Sequence, residues 1–191
     1  PRVRRQRQMC IRDRDNIEIW KWFIQLSLDE YSKTYRQLDI EFDSYKGESF
    51  YYDKVPAVVE KLREKGLLKI DDGASIVDLD EYGMPPCLIL RSDGASLYAT
   101  RDLAAAIYRK NTYDFYKCLY VVAYQQNLHF KQVFKVLELM GREWAKDLVH
   151  VAYGMVSLED GAMSTRKGKV VWLEDVISRC VEKAYGIISE K

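Results

Sequence analysis

The sequence predicts an α/β protein whose core is part of a parallel sheet, with an inserted α+β segment ahead of it. Two apolar runs, "KCLYVVAY" at 117–124 and "DLVHVAYGMV" at 147–156, have the continuous hydrophobicity of buried parallel strands. Between them, "QNLHFKQVFKVLELMG" at 126–141 spaces its apolar residues as a helix does. The order strand, helix, strand predicts a βαβ unit.

The composition favours a globular enzyme or binding domain over a membrane protein. Of 191 residues, 48% are hydrophobic and 31% are charged, as in soluble proteins. No apolar run approaches the roughly 20 residues of a membrane span. The N-terminus has positive charge but no apolar stretch behind it, so no secretory signal is indicated. We expect a cytoplasmic protein without a membrane partner.

The first 14 residues differ from the rest in charge. They contain six Arg and one Asp, a net charge of +5, so residues 15–191 carry −4 within the total of +1. One interpretation is a basic arm that binds nucleic acid. The favoured interpretation is a non-native head, because "RRQRQMCIRDR" at 4–14 resembles a translated sequencing adapter. We therefore leave residues 1–14 out of the fold prediction.

A long helix is predicted to begin at Asp15. Its apolar residues recur at steps of three and four and form one stripe: Trp20, Ile24, Leu28, Tyr31, Tyr35 and Leu38. The stretch "IEFDSYKGES" at 40–49 is then predicted to be a short strand that enters a loop. The stretch "KVPAVVEKLREKG" at 54–66 predicts a short helix that Gly66 ends.

Three short strands follow, separated by turn residues. They are predicted at "LLKI" (67–70), "ASIVDL" (74–79) and "CLILR" (87–91). We assign residues 15–86 to a connective or inserted segment. Residues 87–172 are assigned to the domain that contains the parallel sheet, and residues 173–191 to the start of a helical region.

The next elements set up the first candidate site. "RSDGAS" at 91–96 predicts a hairpin turn that leads into a strand, "LYA", at 97–99. Thr100 is the predicted N-cap of the helix "TRDLAAAIYRKN" at 100–111. Tyr98 and Asp102 then bracket a strand-to-helix corner. A carboxylate beside a Tyr hydroxyl suits a cationic ligand, although Asp102 in a first helical turn is also an ordinary capping charge.

Polar residues follow both predicted parallel strands. Gln125 and Gln126 end the first strand, and His129 lies at the start of the next helix, where a phosphate is attracted. Gly154 and Met155 end the second strand, where backbone groups could meet the edge of a base. Ligands of such units bind outside the carboxyl ends of the strands. Alternatively, His129 is a surface or capping residue and the second pair is only strand.

The segment "SLEDGAMSTRKGKVVW" at 157–172 combines glycine, hydroxyl groups and cations between apolar flanks. Its backbone N–H groups and hydroxyls could donate to an oxyanion, with charge from Arg166, Lys167 and Lys169. It is not a P-loop, because the glycine spacing before the Lys-Ser/Thr pair is absent. It predicts a phosphate-binding loop or an ordinary surface loop.

A metal site is not indicated by the cysteines and histidines. Cys10, Cys87, Cys118 and Cys180 lie far apart and form no C-x-x-C pair. Reduced thiols without a bound metal are the expected state.

Taken in order, five motifs resemble the catalytic domain of arginyl-tRNA synthetases, a class I aminoacyl-tRNA synthetase family. They are "YKGES", "LYATRDLAAA", "YVVAYQQNLHFKQ", "HVAYGMV" and "MSTRKG". The resemblance covers about residues 15–191. It implies a Rossmann-type sheet, of which this chain holds the second half, and ATP-dependent ligation of L-arginine to tRNA(Arg) with Mg²⁺. It implies no stable protein partner.

The resemblance also assigns roles by position. It implies arginine binding by Glu48, Tyr98, Asp102 and Gln126. ATP contacts are implied for His129, Gly154, Met155, Val156 and Met163. The catalytic loop over the phosphates is implied at Ser164, Thr165, Arg166 and Lys167. Ala162 and Thr165 stand where the class signature has lysines, so Arg166 and Lys167 are expected to supply the charge.

A His-x-Gly-His motif, which the family carries in the first half of its nucleotide-binding fold, does not occur in these 191 residues. We therefore expect a fragment that holds half of an active site and has no ligase activity alone. The alternatives are a nucleotide- or arginine-binding domain without ligase activity, and an interaction protein with a genuine RNA-binding arm. The sequence that precedes residue 15 in the gene would distinguish them.

Overall fold

The computed structural model describes residues 14–155, 157–158, 161–162 and 171–190. The chain divides into two compact units. One is Lys46–Ser157, and the other comprises the chain before Lys46 and after Ser157. The predicted sites that the structure describes all lie in the first of these units. No helix within the described residues is long and apolar enough to cross a membrane.

The second unit consists mainly of two helices, both as predicted. Helix α1 spans Arg14–Gln37. A last helix spans Leu173–Ser189 and begins with two acidic residues, which complement the positive end of its dipole. The apolar stripe of α1 is largely exposed, with only Leu28 and Tyr35 half-buried among its members. The apolar periodicity therefore predicts the helix correctly, but it does not predict whether the apolar stripe is buried.

The prediction of a short strand within residues 40–49 is wrong. An extended segment leads instead into a 3₁₀ helix, Glu48–Lys54. The reason lies in the side chains. The Lys46 ammonium lies 5.5 Å and 5.3 Å from the ring centroids of Phe50 and Tyr108, and it donates to the Tyr113 hydroxyl at 2.8 Å. These cation–π contacts pack the segment against a helix rather than a strand.

The inserted part folds as one helix and one antiparallel sheet. Helix α2 spans Val55–Glu64, with Pro56 in its first turn, and Gly66 follows at φ 66°, as predicted. The three predicted strands are present as β1 (Leu68–Asp71), β2 (Ala74–Val77) and β3 (Cys87–Leu90). They pair in the order β1–β2–β3, all antiparallel. The predicted domain boundaries at 86/87 and 172/173 remain predictions.

The turn after β3 is confirmed, but the strand after it is wrong. Gly94 N donates to Arg91 O at 2.9 Å and closes the turn. The chain then enters helix α3, Tyr98–Tyr113, whose N-cap is Leu97 rather than Thr100. Thr100 is fully buried, and its hydroxyl donates to Ile89 O at 2.5 Å. That hydroxyl bonds to the neighbouring strand, so it is not available to cap a helix.

The predicted βαβ unit is confirmed. Strands β4 (Cys118–Ala123) and β5 (Leu148–Tyr153) are parallel, in register from Cys118↔Leu148 to Ala123↔Tyr153. Helix α4, Asn127–Leu139, crosses between them, and Gly141 follows it at φ 77°. The shorter elements are 3₁₀ helices at Asp80–Tyr82, Tyr124–Gln126 and Glu143–Asp147, and two-residue strands at Ser157–Leu158 (β6) and Gly161–Ala162 (β7). With these labels, the last helix, Leu173–Ser189, is α5.

The two parallel strands, predicted to be buried, are buried on one face only. The core lies on one side, where Tyr120 packs against Phe130 of α4 with ring centroids 5.0 Å apart. On the other side, Leu119 and Val121 are 57% and 63% exposed, and their register partners Val149 and Val151 are exposed too. These four apolar residues, which we call the open face, alternate with core residues because strand side chains alternate.

Candidate active site

The carboxyl edge of β4 and β5 collects residues from both strands. The last register pair is Ala123↔Tyr153, so the residues beyond it leave the sheet at one edge. Gln125 and Gln126 follow β4 in a 3₁₀ turn, and Gly154 and Met155 follow β5. The ends of the two strands therefore lie at one edge of the sheet. The further prediction that the segment at 157–169 lies on this edge with "YQQNLH" stays a prediction, because most of that segment lies outside the described residues. The edge is the place where parallel α/β sheets bind ligands.

Tyr98 and Asp102 lie on one face of α3. Both belong to the helix, four residues apart, so their side chains are neighbours one turn from each other. The predicted corner between a strand and a helix is wrong, since the helix begins at Tyr98. Asp102 consequently lies beyond the first turn, which contains no acidic residue. The interpretation of Asp102 as a capping charge is wrong for the same reason.

Asp102 binds His129 across two helices. His129 Nε2 lies 2.6 Å from Asp102 Oδ2, and the imidazole N–H donates to the carboxylate. His129 lies in the first turn of α4, as predicted, and its side chain is mostly buried, whereas Asp102 is about one-third exposed. A residue predicted to bind arginine therefore contacts one predicted to bind ATP. This contact ties the start of α4 to α3.

Glu48 is the first residue of its 3₁₀ helix and pairs with a residue that the motif analysis did not single out. Arg101 Nε lies 2.5 Å from Glu48 Oε1. Arg101 also places its guanidinium carbon 4.9 Å from the ring centroid of Tyr98. It stands within the motif "LYATRD", directly before Asp102. Only that position, between two predicted ligand-binding residues, could have drawn attention to it.

The remaining described candidates are open to solvent. Tyr98 is 68% exposed, and Gln126, the N-cap of α4, is exposed as well. Gly154 and Met155 are exposed beyond β5, and a Cβ placed on Gly154 would meet nothing within 4 Å. Within the described residues, the backbone of Gly154 is therefore uncovered on this side. The predicted site residues Val156, Met163, Ser164, Thr165, Arg166 and Lys167 lie outside the described residues.

A half-buried arginine, Arg109, contacts several of the elements around the helix that carries these side chains. Arg109 of α3 lies with its guanidinium carbon 5.7 Å from the Tyr51 ring centroid and 5.3 Å from that of Tyr120. Tyr51 belongs to the 3₁₀ helix and Tyr120 to β4, so one cation joins three elements. Burial raises the pKa of the Tyr120 hydroxyl, which stays neutral at physiological pH. The site face of α3 is thereby held against the sheet.

These features define a class of protein: an α/β domain with its candidate site at the carboxyl edge of a parallel sheet. The family is shown by direct comparison. Residues 6–191 match the family described as class I tRNA synthetases (R), catalytic domain. The chain belongs to this family, and its fold is that of part of a class I synthetase catalytic domain.

Named relatives agree with the family. The chain is 62% identical over 179 residues to the arginine–tRNA ligase of Clostridioides difficile, and 58% identical over 180 residues to that of Halothermothrix orenii. Each match covers 94% of this chain and 32% of the relative. The chain thus spans about a third of the length of the curated relatives that it matches.

Solved structures show the same fold. The arginyl-tRNA synthetase of Plasmodium falciparum is similar with a TM-score of 0.80 and 25% identity, over 96% of this chain and 30% of that chain. The arginyl-tRNA synthetase of Thermus thermophilus is similar with a TM-score of 0.60 and 19% identity, over 72% of this chain and 29% of that chain. The second likeness shows the fold alone.

Proposed function

We propose that this chain forms the arginine-binding part of an arginine–tRNA ligase, an enzyme of translation that works in the cytoplasm. The observation that carries the proposal is the arrangement around Tyr98 on α3. Asp102 lies one turn from Tyr98 on the same helix, and Glu48 pairs with Arg101, whose guanidinium lies over the Tyr98 ring. A guanidinium is planar, always charged and rich in donors, so carboxylates and an aromatic face are the groups that bind it well. Gln126 supplies a neutral partner at the same edge.

The proposed role of the carboxyl edge is to hold ATP beside the arginine. The exposure of Gly154 and Met155 beyond β5 supports this role, because an adenine edge could reach their backbone N–H and C=O groups. His129 stands at the start of α4, where the helix dipole attracts phosphate, and Asp102 orients its ring. Val156 and Met163 would complete this contact surface.

The proposed chemistry needs positioning more than proton transfer. The arginine carboxylate is ionised at neutral pH, so one of its oxygens attacks the α-phosphorus of ATP without a general base, and pyrophosphate leaves. The terminal ribose hydroxyl of tRNA(Arg) then attacks the carbonyl carbon of the adenylate, and AMP leaves. Ser164, Thr165, Arg166 and Lys167 would stabilise the charge on the phosphates.

Mg²⁺ accompanies ATP in the proposal, but the described residues do not form a site for it. No three His, Cys, Asp or Glu side chains in the described part of the chain lie close enough together to hold a metal ion. In the proposal, Mg²⁺ would be carried by the phosphates of ATP. L-arginine, ATP and tRNA(Arg) are the proposed substrates, with no stable protein partner proposed.

The test is a chimera. The 179 aligned residues of the Clostridioides difficile ligase would be replaced by those of this chain, and arginine-dependent ATP–pyrophosphate exchange would be measured. We expect exchange with arginine and none with lysine, because lysine leaves buried acceptors unpaired. A folded chimera without exchange would overturn the proposal. The 191-residue chain alone is expected to give no exchange even with tRNA, and robust exchange would disprove the proposed division of the site.

A further inference from the structure

Arg101 is mostly buried and touches two of the proposed arginine-binding residues at once. Its side chain is only 21% exposed, and its Nε lies 2.5 Å from Glu48 Oε1. Its guanidinium carbon lies 4.9 Å from the centroid of the Tyr98 ring. Glu48 comes from the 3₁₀ helix and Tyr98 from α3, so Arg101 fixes the distance between side chains of two separate elements.

The contact with Glu48 leaves half of that carboxylate available. The buried Arg101 Nε–H has no aligned hydrogen-bond partner, so its contact with Oε1 is an ion pair with poor hydrogen-bond geometry. Within the described residues, Glu48 Oε2 makes no hydrogen bond or ion pair, and the side chain is 54% exposed. A second cation can therefore reach Glu48 while Arg101 remains in place.

The summed charge of Glu48, Arg101 and Asp102 matches the single positive charge of one guanidinium group. Glu48 and Asp102 contribute two negative charges, and Arg101 contributes one positive charge that is permanent in proteins. The three side chains together carry −1, which one arginine substrate neutralises. Without Arg101 the two carboxylates would carry −2, and Glu48 would lose its cationic partner.

The backbone of Glu48 does not depend on Arg101. Lys46, two residues earlier, lies over the rings of Phe50, Tyr108 and Tyr113 at 5.3–5.5 Å and donates to the Tyr113 hydroxyl. This cage anchors the segment on α3 by contacts that Arg101 does not share. A substitution of Arg101 should therefore change the direction of the Glu48 side chain without releasing the 3₁₀ helix.

We propose that Arg101 is a positioning residue that holds the Glu48 carboxylate beside Tyr98 and sets the site charge to −1, so that the site accepts one guanidinium group. The inference rests on the proposed function, because it concerns arginine binding at the same residues. Arg101 does not contact the reacting atoms in this proposal. It acts through Glu48 and Tyr98.

The experiment uses the active chimera with Arg101→Gln, which keeps a planar polar group and removes the charge. We expect the KM for arginine to rise about tenfold, with the KM for ATP changed less than about twofold. Arg101→Lys restores the charge and should recover most of the arginine affinity. The matched control is Arg63→Gln, an exposed arginine on α2 that is paired with Glu60, and it should change neither KM.

A double-mutant cycle separates positioning from general destabilisation. In a Glu48→Gln background, Arg101→Gln should add less than about a twofold loss, because residues that act through one contact are not additive. Equal losses with and without Glu48, or equal increases in both KM values, would overturn the role of Arg101. If Arg101→Gln does not fold, the two KM values are compared for Arg101→Lys instead. A complete loss of arginine affinity in Arg101→Lys would also overturn the proposed role of Arg101. A parent chimera without exchange would instead overturn the proposed function.

Discussion

His129 Nε2 donates to Asp102 Oδ2 at 2.6 Å, so one oxygen of the Asp102 carboxylate is already bound, and no described residue binds the other oxygen. A carboxylate held by one imidazole loses little conformational freedom when a guanidinium binds to its second oxygen. The pair therefore orders the site before the substrate arrives. It also links arginine binding at α3 to the start of α4, where ATP phosphates are proposed to lie.

Asp102→Asn tests this arrangement in the chimera. Asparagine keeps an acceptor for His129 and removes the charge that attracts the guanidinium. We expect arginine binding to weaken by about 1.5–3 kcal/mol, the range for a hydrogen bond to a charged group. The arginine KM from pyrophosphate exchange measures it. The control is Asp72→Asn in the exposed β1–β2 turn, where φ is 44° and asparagine is tolerated. An unchanged KM would show that Asp102 does not bind arginine.

Much of the fold follows from the sequence because its elements have strong local signals. The βαβ unit was predictable from two apolar runs around a periodic helix, and Gly66 and Gly141 end their helices at positive φ as expected. The start of α3 at Tyr98 was not predictable. Thr100 is a good N-cap by residue type, so the sequence favoured a helix that begins after it and a strand at 97–99. The Thr100 hydroxyl instead bonds to Ile89, a contact between elements that the local sequence does not reveal.

The candidate site was predictable in its residues but not in its pairings. A carboxylate at Asp102 and a histidine at the start of α4 were identified separately, and nothing in their spacing of 27 residues shows that they touch. Arg101 was missed because an arginine on a helix usually points to solvent. Its burial depends on Glu48 and Tyr98 coming together from different elements.

Thr100→Val should destabilise the protein. The side chain is fully buried, and valine removes the donor to Ile89 O while keeping the shape. A buried carbonyl left without its donor costs about 1–3 kcal/mol. Urea unfolding should show a lower midpoint with an unchanged slope. Thr112→Val, on the exposed side of the same helix, is the control and should change the midpoint little. Equal midpoints for the two variants would contradict the structural role.

Stability should fall in mild alkali because of Cys87. Burial raises the pKa of the Cys87 thiol to about 12 from its ordinary 9.0. Above pH 9 the unfolded chain loses this proton and the folded chain keeps it. Unfolding then releases a proton, so the free energy of unfolding decreases as pH rises. Between pH 8 and pH 10 the loss from this one group is about 1.4 kcal/mol.

The measurement is urea unfolding under reducing conditions at pH 8, 9 and 10. Cys87→Val should make the free energy of unfolding fall less between pH 8 and pH 10, by about the 1.4 kcal/mol that Cys87 contributes. Cys180→Ala removes an exposed thiol on α5 and should leave the pH dependence unchanged. If the free energy of unfolding of Cys87→Val falls as steeply with pH as that of the unmodified protein, groups other than Cys87 cause the fall.

The loop at 163–169 should act on the transition state. Its cations are proposed to meet charge that grows on the phosphates during attack, so their effect is larger in the transition state than on arginine binding. In the chimera, replacing Arg166 and Lys167 by Ala should lower kcat for activation, with less change in the arginine KM. The control replaces Arg179 and Lys183 on α5. An effect confined to the arginine KM would falsify the proposed place of the loop.

The open face of β4 and β5 should make the 191-residue chain weakly stable and prone to associate. Leu119, Val121, Val149 and Val151 form adjacent register pairs on one exposed face. Within the described residues these two strands pair only with each other, so each also keeps an unpaired edge. Apolar strand surface with free edges favours pairing between chains.

Sedimentation velocity at several concentrations tests this prediction. The unmodified chain should sediment increasingly as dimers and larger species, and Leu119→Thr with Val121→Thr should shift it toward monomer. Threonine is β-branched, which suits a strand, and it adds a hydroxyl to the surface. The control is Ile70→Thr with Leu88→Thr, which replaces two exposed apolar residues of the antiparallel sheet. If the control suppresses association as strongly, the open face is not its cause. A chain that is monomeric at every concentration would disprove the prediction outright.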